Sequence, residues 1–133
     1  MIGLELEDET METKAVGERL VALCREGKNM EAVNTLYADD IVSVEPHGTP
    51  EMPQTQKGKD AIRGKNEWFF GNHEIHSAAA EGPMVNGDQF TVVYEFDATA
   101  KNGPYAGQRN KMKEVGLYTV GDDGKITREQ FFY

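Results

Sequence analysis

Three glutamates in this chain sit where their carboxylates could do proton chemistry. Glu45 closes the β-branched run I-V-S-V-E-P, just ahead of Pro46, and Glu114 and Glu129 lie in the alternating stretches KMKEVGLYTV and KITREQFFY. Pairing those two stretches around the GDDG turn, with Val120 opposite Lys125, sets Tyr118 across from Thr127, Gly116 from Glu129, Glu114 from Phe131 and Met112 from Tyr133. Side chains alternate along strands, so all of these share one face. An unpaired carboxylate on an apolar inner face has its pKa raised by desolvation, as an acid or base working near neutrality requires. Two such groups close together do not both ionise easily, and one can act as an acid. The competing reading is that glutamates ordinarily face water, and a slip of one residue in the pairing would expose both Glu114 and Glu129.

A second group could bind a ligand. Around Asn86-Gly87, a strong two-residue hairpin signal, Tyr94 would face Ala79 and Phe96 would face Ser77. Phe90, Val92, Tyr94 and Phe96 then line one face, and the small residues opposite leave room for a small hydrophobic ligand. Tyr94 and Tyr118 carry phenols that could donate to a carbonyl oxygen or simply pack as amphipathic core. Met112, Phe131 and Tyr133 extend the same lining. Trp68, in the W-F-F run, packs a helix on the sheet or forms the rim. His76 falls outward, opposite Asp97, unless a bulge at Gly82-Pro83 turns it in. The three histidines lack metal-ligand spacing, so no metal is expected. Without a phosphate loop or serine-nucleophile motif, no cofactor is expected. Cys24 lies on an apolar helix face and reads as inert core.

These residues need a scaffold. The 133 residues suffice for one domain with a real core, expected over 1–133 with residues 1–9 flexible. Apolar residues make up 38% and the net charge is −9, so a nucleic-acid backbone has no electrostatic footprint here. The acidic N-terminus has no apolar segment, no run is long enough for a membrane span, and a single cysteine allows no internal disulfide, all of which suits the cytoplasm. Apolar spacing from Met11 predicts a helix stopped by Gly27, and Asn29 could cap a second helix through Ala38. IVSVEP reads as a strand, HGTPEMPQTQKG as a loop, and Lys59–Phe70 as a third helix closed by Gly71. Four long strands follow. Helices first and strands after give an α+β fold, three N-terminal helices on one face of a curved antiparallel sheet.

This order resembles the nuclear transport factor 2-like, cystatin-like cone over nearly the whole chain. Y-A-D-D followed by V-E-P-x-G resembles the matching stretch of ketosteroid isomerases, and G-K-D-A-I-R, D-G-K-I and the ending E-Q-F-F-Y resemble SnoaL-like polyketide cyclase relatives. The resemblance implies that Glu45, just before the proline, is the carboxylate base. The two isomerase oxyanion donors would fall on Leu20 and about Gly116, so both are missing. The implied function is cofactor-free acid/base chemistry on a hydrophobic carbonyl compound: Glu45 removes a proton, while Tyr94, Tyr118 or a protonated Glu114 or Glu129 stabilises the enolate. The alternative is a non-catalytic ligand-binding or dimerisation module. The outer sheet face, with Val93, Val115, Leu117 and Phe132, points to a homodimer.

Overall fold

A computed structural model describes residues 2–133, with side chains from Glu9 onward. The flexible segment expected at 1–9 falls largely outside the described side chains. Helix α1 (Ile2–Arg25) buries Leu20, Val21 and Leu23 and ends where Gly27 takes a φ of +74°. There the Lys28 amide donates to the Leu23 carbonyl at 2.8 Å and the Gly27 amide to that of Cys24 at 3.1 Å, a Schellman closure. Helix α2 (Asn29–Leu36) follows at once. Asn29 does not cap it: Lys28 holds the cap position without a side-chain bond, and the Asn29 amide reaches the Cys24 sulfur at 3.6 Å. The helix also stops short of Ala38, because Tyr37 already opens strand β1 (Tyr37–Val44) and buries its ring.

The expected loop contains a short strand, β2 (Thr55–Lys57), which pairs with the end of β1. Helix α3 (Lys59–Asn72) runs one residue past Gly71. Strands β3 (His73–Asn86), β4 (Gln89–Ala100), β5 (Arg109–Val120) and β6 (Ile126–Phe132) complete a six-stranded sheet in the order β2-β1-β6-β5-β4-β3. The sheet is open and curved, with the three helices packed on one face. It is antiparallel throughout except for β1, which runs parallel to β6. Leu20, Ile41, Ile62, Phe90, Val92, Tyr118 and Ile126 form the centre of the core, each at most 1% exposed. Helix α1 comes so close to the first hairpin that a Cβ on Gly17 would meet Pro83 Cβ at 2.7 Å and the Phe90 ring at 3.1 Å. No helix among the described residues is long and apolar enough to cross a membrane.

Both hairpins pair differently from the count made on the sequence. In the second, Tyr118 faces Glu129 and Gly116 faces Phe131, an offset of two residues, because the turn is longer and Thr127 bulges. An even offset keeps every side chain on its face, so Glu114, Gly116, Tyr118, Glu129 and Phe131 all still face the helices. In the first, the turn sits on Gly87-Asp88 and a bulge at Gly82-Pro83 inserts one residue. Tyr94 therefore faces Ala80 and Phe96 faces Ala78.

Candidate functional site

The inner face of the sheet forms a grid that crosses four strands. Tyr94 on β4 is paired with Glu114 on β5; Gly116 with Phe131 on β6; Tyr118 with Glu129, which in turn pairs with Ser43 on β1. Glu45 follows β1 directly. Its carboxylate is 15% exposed, so the structure places it inside, but it is not unpaired: the Lys65 ammonium from α3 forms an ion pair with it. The same ammonium donates to Ser43 Oγ at 2.9 Å, lies 3.9 Å from Glu129 Oε1 and sits 4.6 Å above the Phe131 ring. A carboxylate and a lysine each cost free energy to desolvate alone, and pairing offsets much of that cost.

Glu129 is 2% exposed. It accepts from the Tyr37 hydroxyl at 2.5 Å and from Ser43 Oγ at 2.9 Å. Burial still moves its pKa up, against the lowering effect of Lys65 and of those two hydrogen bonds. Glu114 is half-buried on the same face. Desolvation, together with the negative charge of Glu45 and Glu129, lifts it to about 7, with Lys65 acting against them. The phenols of Tyr94 and Tyr118 lie 2.6 Å apart in a mutual hydrogen bond, and burial raises both well above the ordinary tyrosine range. A side chain at Gly116 would collide with the Tyr118 ring, whose hydroxyl lies 2.9 Å from the ideal Cβ position. Tyr118 thus fills the space that the missing donor near position 116 would take, while Leu20 is core.

Beside this network a cavity of about 640 Å³ opens between the end of α1, α3 and β3, with Tyr94, Phe96, Phe70, Cys24 and Ile75 in its walls. Ala78, Ala79 and Ala80 supply its floor on β3. Burial pushes the Cys24 thiol up to about 11, against its hydrogen bond to Tyr94, so it stays protonated near neutrality. Among the described residues no group of three His, Cys, Asp or Glu side chains is arranged to hold a metal.

Not every residue expected in the lining is there. Phe90 and Tyr118 stack at 4.9 Å as filled core, leaving only Tyr94 and Phe96 of the first list on the cavity wall. Met112 is half-buried across from Phe96, and Phe131 lies under Lys65. Tyr133 is 62% exposed and packs edge-on against His47, over the Glu45 end of the site. Trp68 is 53% exposed and meets His73 instead of the cavity. His76 is also exposed: β3 bulges at this residue, and its Nε2 hydrogen-bonds Thr99 Oγ1 at 2.7 Å.

The sequence reading missed Tyr37, Ser43 and Lys65. For Lys65 a signal existed. It lies three residues after the buried Ile62 and four before Phe69, on the core-facing stripe of α3, where a lysine needs a partner.

Residues 11–133 match the family described as SnoaL-like domain. Among curated proteins none matches the sequence. Among solved structures, a protein of Mesorhizobium loti provisionally named a SnoaL-like polyketide cyclase, with carbohydrate phosphatase as a bracketed second designation, is 43% identical. The match covers 90% of this chain and 97% of that one, with a TM-score of 0.81. A Catenulispora acidiphila protein of ketosteroid isomerase-like fold, in complex with trimethylamine, is 22% identical over 86% of this chain and 81% of its own, TM-score 0.64. A Mycobacterium tuberculosis protein in complex with estradiol-17beta-hemisuccinate is 16% identical over 91% and 93%, TM-score 0.67. The last two share the fold alone.

Proposed function

The chain belongs to the SnoaL-like domain family, and from that premise we propose that it binds a small hydrophobic carbonyl compound and moves a proton on it without a cofactor. The observation that carries this reading is Glu114. It is half-buried, in register with the cavity-wall residue Tyr94, and its pKa of about 7 lets it both accept and donate a proton near neutrality. Glu114 takes the part that the family resemblance assigns to Glu45, since Lys65 already occupies the Glu45 carboxylate. The Tyr94–Tyr118 phenol pair, whose Tyr94 is paired across the ladder with Glu114, would polarise the carbonyl. The bound steroid derivative of the Mycobacterium tuberculosis protein is one ligand that a cone of this fold takes.

The test is solvent deuterium exchange at the α-carbon of a panel of mono- to tetracyclic ketones, followed by NMR. The wild-type protein should accelerate exchange for at least one ketone, and Glu114→Gln should slow it by about 10²-fold. Ketones that bind equally to both proteins without exchanging would favour a non-catalytic binding module. The absence of the two family donors at Leu20 and Gly116 is the observation on that side.

The outer sheet face supports a homodimer in the same proposal. Val93 pairs with Val115 and Val115 with Phe132, a continuous apolar row across three strands, with Phe132 49% exposed. Light scattering at tens of micromolar should report a dimer, and a mass of 14.8 kDa would rule it out.

A further inference from the structure

We propose that Lys65 is the positioning residue of this site, an internal counter-ion that anchors Glu45 at the end of β1 and governs which of the facing carboxylates carries the mobile proton. Its role as counter-ion follows from geometry alone. Only the link from that proton to a ligand rests on the function proposed above.

Lys65 leaves α3 on its core-facing side, and its side chain is 17% exposed. The ammonium lies above the Phe131 ring and reaches three groups: Ser43 on β1, Glu45 just after it, and Glu129 on β6. One helix is thereby pinned to the junction of the parallel pair β1 and β6. The groups that face Glu114 are Glu45 from β1, Lys65 from α3, Glu129 from β6, Tyr94 from β4, and Tyr133 beyond the end of β6. Lys65 is the one cation in that set. The two other carboxylates both act to keep a proton on Glu114, and Lys65 is the charge that opposes them.

Neutralising Lys65 would therefore leave three carboxylates facing one another without a counter-ion. The proton on Glu114 would be held more tightly, and Glu45 would lose the contact that holds it inward. A residue that only filled space would have no such effect, because methionine matches the lysine stem in length and apolar packing.

The experiment is a carbon-13 NMR titration of glutamate side chains in the whole chain, for wild type, Lys65→Met and Lys65→Arg. The Glu114 midpoint should rise by about one pH unit in Lys65→Met, the lower end of the effect of an opposite charge at this range. It should stay within about 0.3 unit of wild type in Lys65→Arg, which keeps the charge. An unchanged Glu114 midpoint in folded Lys65→Met would overturn the proposal. If Lys65→Met does not fold, the nitrogen-15 resonance of the Lys65 ammonium in the wild-type protein decides: it should move with the Glu114 titration, and an independent response would equally sink the idea. None of these readouts needs a ligand, so a failure to find ketone exchange would reject the proposed activity and leave this test standing.

Discussion

Phe90→Ala is expected to lower the folding free energy by about 3–5 kcal/mol, much of the roughly 5–15 kcal/mol that a domain of this size holds. Phe90 is 1% exposed, stacks on Tyr118 at 4.9 Å and lies directly under the close approach of α1 at Gly17. Few neighbours can move into the gap. The Tyr118 ring is held by its hydroxyl bond to Tyr94, and Gly17 has no side chain to offer. The cavity would therefore stay open, and the cost of a core truncation grows with the void that remains. Urea denaturation read by circular dichroism measures it. Tyr105→Ala, 64% exposed in the turn between β4 and β5, serves as the control and should cost far less. An equal loss in both variants would show that the core does not centre on the Phe90–Tyr118 stack.

Stability should also fall as pH rises through the neutral range. The folded-state pKa of Glu114 is about 7, against an ordinary value of 4.5. For a carboxyl raised on folding, the native state holds a proton that the unfolded chain releases. The stabilisation is full below about pH 4.5 and is lost as pH climbs towards 7. The linkage amounts to on the order of 3 kcal/mol in full, and to about 2 kcal/mol between pH 5.5 and pH 8. Glu129, also raised by burial, acts in the same direction. The wild-type urea midpoint should thus be higher at pH 5.5 than at pH 8, and Glu114→Gln should flatten that difference. A midpoint that rises with pH over this interval would mean that the site holds its carboxylates as stabilised anions.

The face of the site residues on β4, β5 and β6 was legible in the sequence, while the residue opposite each was not, and on β3 the inner face carries Ala78 and Ala80 where the count put Ser77 and Ala79. Alternation alone assigns Glu114 and Glu129 to one side, and an error of two residues in the pairing leaves that assignment intact. In the first hairpin the offset was odd, because the Gly82-Pro83 bulge adds one residue to β3 alone. It changed the partners of Tyr94 and Phe96 without moving them off the inner face, since β4 itself has no bulge. His76 shows where such counting ends, because a second bulge takes it out of the ladder altogether. The Glu45–Lys65 pair lay beyond strand logic, since its members are brought together by how α3 crosses the sheet. Tyr37 was hidden for another reason. It stands where helical periodicity and the strand both claim it, and burial beside Glu129 decides in favour of the strand.

The parallel pairing of β1 with β6 governs when the site comes into being during folding. Tyr37 and Ser43 meet Glu129 across 92 and 86 residues of chain, whereas the two hairpins close over short turns. Loop closure over such a span is costly before any contact rewards it, so pairings of this kind form late. Helices α1 to α3 and the β3–β4–β5 meander can assemble first and leave the edges of β1 and β5 open. The docking of β6 between them joins the two halves, buries Glu129 and completes the polar network in one event. On the ribosome, the segment through β5 has no partner for Tyr37, Ser43 or Lys65 except water and Glu45. A chain stalled before residue 126 would expose two unpaired strand edges, the form most prone to aggregate.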